Sequence, residues 1–210
     1  MLLSRCCDSQ GISRKQSQAG DPMTAIIDGY LTGQLLVAMP TMDDPRFERT
    51  VIYLCAHSQA GALGLIVNRL ADHISFSDLL TQLGIAGPPE HEIRVHVGGP
   101  VEQARGFVLH SADYVRDTTL VVSEEIALTA SIDVLAAIAS GQGPRRSLLA
   151  LGYAGWDAGQ LESEIQQNGW LQVPADEDLL FGKNIGTKWT GAMRKIGLEL
   201  SALSSTAGHA

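Results

Sequence analysis

The chain has 210 residues, 45% of them hydrophobic, enough for one domain to bury a sizeable core without disulfides or metal. A formal net charge of -8 and an isoelectric point near 5.1 exclude non-specific attraction to nucleic acid or to an anionic membrane surface as its mode of action. Cys6, Cys7 and Cys55 form an odd set with no C-x-x-C, so no disulfide framework is expected, and no apolar run approaches the ~20 residues of a membrane helix, so a cytoplasmic location is expected.

Residues 1–22 mix Ser, Gln, Arg and Gly with little apolar periodicity and are expected to be a disordered tail, with Met23 a candidate start and Ala25 to Leu31 a short amphipathic entry helix. Leu35 to Met39, Val51 to Ala56 and Leu63 to Val67 are continuous apolar runs rich in β-branched residues, which suits strands covered on both faces. His57 to Ala62 is a polar insert whose Gly61 can take positive φ, so the second and third runs are expected to form an antiparallel hairpin. Ser75 and Asp78 are spaced as a capping box before a helix that places Phe76, Leu79, Leu80 and Leu83 on one face and stops at Gly84. After the Pro88-Pro89 loop, Ile93 to Val97 alternates as a half-buried strand and Gly98-Gly99-Pro100 breaks it. Gly106 to Leu109 and Thr119 to Val122 are the next strands, joined by the polar stretch Ser111 to Thr118. Ser131 caps a helix with Val134, Leu135 and Ile138 inward and Gly141 at its end, and Ser147 to Tyr153 is another buried strand. Asp157 and Gln160 are spaced as a second capping box, opening an acidic helix with Leu161 and Ile165 inward and Gly169 closing it. Trp170 to Val173 is a last short strand, Leu179 to Phe181 and Trp189 to Leu200 are terminal helices, and 201–210 is expected to fray. One domain over 23–200 follows.

The histidines have no metal-ligand spacing, no G-x-S-x-G marks a hydrolase, and Cys55 sits in an apolar run where a thiol behaves as a small hydrophobe. No metal or cofactor is therefore expected. The glycines of Leu151 to Gly159 fall where a strand meets a helix, but their spacing is neither a Rossmann fingerprint nor a P-loop; they are expected to permit a tight turn and close packing, with Trp156 as a surface anchor. The segment Thr41 to Arg49 carries Asp43, Asp44, Arg46, Glu48 and Arg49 around a lone Phe47, far more charge than a connection needs. Arg46 or Arg49 can pair with Asp44 or Glu48 to pin the loop, or can hold a carboxylate or phosphate bidentately. Arg145-Arg146 is an isolated pair expected to be solvated.

Several linked motifs follow one another along the chain: Ala38-Met39-Pro40, then Asp44-Pro45-Arg46-Phe47-Glu48-Arg49-Thr50-Val51-Ile52-Tyr53, the segment Gly61 to Asn68, Gly98-Gly99-Pro100-Val101, Arg105 to Ser111, and Leu151 to Trp156 with Gly159 to Glu162. In these motifs and their order, over roughly Gly33 to Leu200, the chain resembles the YqgE/AlgH family of bacterial proteins. The resemblance implies a sheet that curls toward a barrel-like shape. It implies no activity, since the family has none established and its label as a transcriptional regulator rests on genetic association.

The expectation is a single α+β domain with a mixed, largely antiparallel sheet and peripheral helices. Its candidate binding surface comprises Asp44, Arg46, Phe47 and Arg49, the glycine turns Gly98, Gly99 and Gly155, and His110 and Trp156. A non-enzymatic binding or regulatory protein would present Phe47 on a flat patch, whereas an enzyme or small-ligand binder would close a pocket around Asp44, Arg46 and His110. Its partner would be a protein or small ligand; direct nucleic-acid binding and membrane insertion are not expected, and any effect on transcription would be indirect.

Overall fold

The computed structural model describes residues 30–85 and 89–198; the expectations for 1–22, for residues 25–29 of the entry helix, for Pro88 and for 201–210 lie outside them. Among the described residues nine strands form one sheet that curls into a half-barrel, flanked by short helices. In chain order these are β1 (Gln34–Ala38), β2 (Val51–Ser58), β3 (Gly61–Ile66), α1 (Phe76–Gln82), β4 (Val95–Val97), β5 (Val101–Ser111), β6 (Thr119–Val121), β7 (Ile126–Thr129), α2 (Ile132–Ala139), β8 (Ser147–Asp157), α3 (Gln160–Gln166), β9 (Trp170–Pro174), α4 (Glu177–Phe181) and α5 (Lys188–Lys195).

The strand order is β6-β7-β5-β8-β3-β2-β1-β9, antiparallel throughout, with β4 added parallel to β8. β8 organises the sheet. Its first half pairs with β5 on one edge and β4 on the other, and its second half pairs with β3. The apolar runs of β1 and β2 are continuous because both faces are covered: Leu35, Val37, Val51, Tyr53 and Cys55 enter one core cluster, and Leu36, Ala38, Ile52 and Leu54 enter another. The second cluster lies under the segment Thr41 to Arg49, α3 and β9, and so builds the floor of the site described below.

The β2–β3 hairpin forms as expected, but the strands run through most of the polar insert, leaving Gln59 and Ala60 as a two-residue connection before Gly61 at φ +127. The Ser75–Asp78 capping box closes in both directions, yet Leu83, expected inward, is exposed. Val134, Leu135 and Ile138 are buried as expected.

Three further expectations are corrected. The turn expected over the glycines of Leu151 to Gly159 is confined to Ala158-Gly159, with Gly159 at φ +74: β8 continues to Asp157, and Gly152 stands inside it at φ +72, where the β5 register shifts. The second capping box is half made. Gln160 Oε1 accepts from Asp157 N–H, but Asp157 is the last residue of β8 and the helix takes Gly159 as its N-cap, with no side-chain cap bond. β5 starts at Val101, not Gly106, and β7 was not foreseen; its four residues are buried by pairing with β5 and β6.

Candidate functional site

Thr41 to Arg49 folds into a compact turn because its polar groups satisfy one another. The Asp44 carboxylate accepts the Arg46 backbone N–H at 2.9 Å, and the Asp44 carbonyl accepts the amides of Phe47 and Glu48. The Arg46 guanidinium forks onto the same carboxylate, Nη2 to Oδ2 at 2.6 Å and Nε to Oδ1 at 3.0 Å, which holds the Asp44 carboxyl below its ordinary range and raises Arg46. Arg46 is mostly exposed, so the pair fixes loop geometry more than it stabilises the fold.

The loop is tied down from β3's far end. Arg69 donates to the carbonyls of Arg46 (2.8 Å), Glu48 (2.9 Å) and Pro45 (3.1 Å), and Asn68 accepts from Val51 N–H while donating to the Arg49 carbonyl. Neither role is visible in spacing, because the contacts join residues 17 to 24 positions apart. Arg49 adopts φ 52, an uncommon left-handed conformation for an arginine, and turns its guanidinium over Trp189 at 5.5 Å.

Between this loop and α3 opens a groove of about 320 Å³. Phe47 and Trp170 meet edge to face at 5.7 Å, Trp170 and Trp156 at 5.9 Å, and the three rings belong to the cluster under the loop. One carboxylate fastens them. Glu164 Oε2 accepts Trp156 Nε1–H at 2.9 Å and Trp170 Nε1–H at 2.8 Å, while its Oε1 accepts Gln160 Nε2–H at 2.8 Å. Asp43, Gln167 and Asn168 stand on the rim.

Of the candidate surface residues, Asp44, Arg46, Phe47, Gly155 and Trp156 come together here. Trp156 is 7% exposed and therefore part of the floor, not a surface anchor as expected from its place among the glycines. Arg49 faces away. Gly98 and Gly99 pack on the backbone of β8, where an added Cβ would lie 2.2 Å from the Gly152 carbonyl oxygen and 2.1 Å from the Tyr153 carbonyl carbon respectively. His110 is wholly buried on β5, bonded to Thr129 Oγ1 and the Ser111 carbonyl, and burial pushes its pKa down. It takes no part in the groove. Glu164, Trp170, Gln160 and Asn168 were not among the expected site residues.

Elsewhere, Cys55 is buried, and burial drives its thiol pKa up, away from nucleophilic chemistry. Arg145 and Arg146 are exposed, as expected of a solvated pair, and both reach Glu177, at 3.2 and 3.8 Å. Among the described residues no group of three or more His, Cys, Asp or Glu side chains is placed to hold a metal ion, and no helix is long and apolar enough to cross a membrane.

The AlgH-like family matches the chain over residues 35–201. A UPF0301 protein of Rhodospirillum rubrum is 56% identical over 184 residues, covering 87% of this chain and 96% of the relative. One of Afipia carboxidovorans is 53% identical over 209 residues, covering 95% and 96%. The solution structure of the AlgH protein from Pseudomonas aeruginosa superposes with TM-score 0.72 at 43% identity, covering 92% of this chain and all of that one. A crystal structure of a protein from Corynebacterium diphtheriae, with TM-score 0.64 at 20% identity, shares the fold.

Proposed function

The chain belongs to the AlgH-like family, a family of unknown function, and from the geometry above we propose that it is a non-enzymatic binding protein that engages its partner through the groove beside the segment Asp44 to Arg49. The observation that carries this proposal is the preorganisation of the groove. Arg69 holds three carbonyls of an exposed loop, and Glu164 holds two indoles, so a partner meets walls whose ordering entropy was lost on folding. An apolar floor with a few placed polar groups on its rim is the usual anatomy of a binding site. The convergence of Asp44, Arg46 and His110 that an enzyme in this region would use does not form, since His110 lies buried on another strand. Phe47 is half-buried in a concave wall, and so presents neither the flat patch nor the closed pocket weighed from sequence.

The test is site-specific photo-crosslinking in the source cells, with a photoreactive phenylalanine analogue in place of Gln167 on the groove rim or of Val121 on β6. Adducts of discrete mass at 167, absent at 121 and lost when Phe47→Ala is added, support the groove. Equal labelling at both positions, or none at 167, counts against it.

A further inference from the structure

We infer that the occupant of the groove is a lysine or arginine side chain carried on an extended segment of a protein partner; this inference deepens the binding role proposed above and rests on it. The charge of the lining decides the sign. Asp43, Asp44 and Glu164 face a single basic side chain, Arg46, whose fork is already filled by Asp44. An anion entering the groove would find no free guanidinium. Neither Asp43 nor Glu164 has an ion-pair partner among the described residues.

Glu164 is the stronger anchor. The residue is half-buried and its oxygens are fixed by two indole N–H groups and one amide, all neutral donors, so the carboxylate is oriented with no charge partner among the described residues. The aromatic wall suits the same partner. The Arg46 guanidinium carbon lies 5.7 Å from the Phe47 ring centre, within cation–π range, so this wall already accepts a guanidinium from the chain itself.

That the cation arrives on a chain follows from what borders the groove. Trp170 begins β9, which ends the strand order and pairs only with β1 among the described residues, so one side of its backbone carries no strand. An extended segment laid along such an edge gains main-chain bonds and drops alternate side chains into neighbouring pockets. A free amine would use the carboxylates alone. The net charge of -8 also favours encounter with a basic segment.

The test is titration of the full chain with a blocked pentapeptide bearing one central lysine, its norleucine analogue and butylamine, followed through the indole N–H resonances of Trp156 and Trp170. The lysine peptide is expected to shift both resonances, with the norleucine analogue and butylamine weaker. Asp43→Asn, at an exposed position without a side-chain partner among the described residues, should weaken binding of the lysine peptide roughly threefold, as loss of one exposed charge interaction implies. Glu164→Gln should weaken it further if the indoles stay in place. Norleucine binding as tightly as lysine overturns the cation, and butylamine matching the peptide overturns the chain. Silence from all three probes overturns this inference but leaves the groove standing if crosslinking at Gln167 persists; loss of that crosslink overturns the groove itself.

Discussion

The side-chain nitrogen of Lys188 lies 3.1 Å from the carbonyl oxygen of Val67 and 2.6 Å from that of Leu180, in a residue 3% exposed and without a carboxylate partner among those described. The bond to Val67 ties α5 to the end of β3 across 121 positions of sequence. Two acceptors match the two N–H groups of a neutral amine, whereas an ammonium has three to satisfy. Burial, with the Arg94 charge adding to it, pushes the Lys188 pKa down from 10.5 to about 8.

The contribution of Lys188 to stability should therefore rise with pH in this window, against the opposite trend from the buried Cys55 thiol and Tyr53 hydroxyl, whose pKa values burial raises. Between about 8 and 10.5 the folded chain has released the Lys188 proton while the unfolded chain still holds it, so alkali favours the fold by about 3 kcal/mol in all. Urea unfolding of wild type and Lys188→Met from about pH 7 to about pH 10 checks this by difference. Wild type should gain on the variant as pH rises. A difference that does not change with pH refutes it.

His96 predicts the acid limb. Its Nδ1 lies 3.2 Å from the Arg94 carbonyl and donates to it, leaving Nε2 an unpartnered, buried atom, and burial together with the Lys188 charge lowers the pKa to about 4. As pH falls from 6.5 toward about 4 the unfolded chain takes up a proton that the folded chain refuses, so stability falls, by about 3 kcal/mol over the window. His96→Leu should lose less than wild type across that range in the same urea assay. Parallel acid profiles would show that other groups control it.

The sheet's centre was legible because both its faces are buried. Continuous apolar runs then mark β1, β2 and β3 directly, and the Ser75–Asp78 box marks the start of α1. β7 was not legible: Ile126 to Thr129 is four residues beside two glutamates, and only its pairing with β5 and β6 makes it a strand. The charged loop was visible as an excess of charge, and its Asp44–Arg46 pair was one of the pairings foreseen. Its partners were not, since Glu164 on α3 gathers indoles from β8 and β9, a convergence that no spacing encodes. Lys188 read as one of several scattered cations until packing of α5 on β1 and β2 buried it.

Gly152→Ala should cost about 3 kcal/mol of stability. Gly152 stands at φ +72 within β8, and an added Cβ would lie 2.6 Å from the Gly99 carbonyl oxygen and 2.8 Å from that of Val101. Backbone strain and overpacking thus act together at the crossing of β8 with the start of β5. Equilibrium unfolding measures the loss. A variant as stable as wild type would show that residues 99 to 101 shift at little cost.

Duplex DNA should be bound no more tightly than the weak non-specific range, near 10⁻⁴ M or poorer at physiological salt. Specific binders draw much of their affinity from lysines and arginines that release counterions from phosphates, and the chain carries a net charge of -8. The one cluster of cations visible in sequence, Lys183, Lys188, Arg194 and Lys195, is not a free basic face. Lys188 is buried, and Lys195 donates at 2.6 Å to Asp176 and at 2.9 Å to the Pro174 carbonyl. Arg145 and Arg146 share Glu177, and Arg69 is spent on loop carbonyls. The inward face of α5 is used for packing by Trp189, Ala192 and Met193, which leaves Arg194 as an exposed cation of that helix, too few for a basic stripe. Fluorescence anisotropy with a labelled duplex at low and physiological salt measures this. Tight, sequence-selective binding that weakens steeply with salt would refute the prediction and place a regulator's contact directly on DNA.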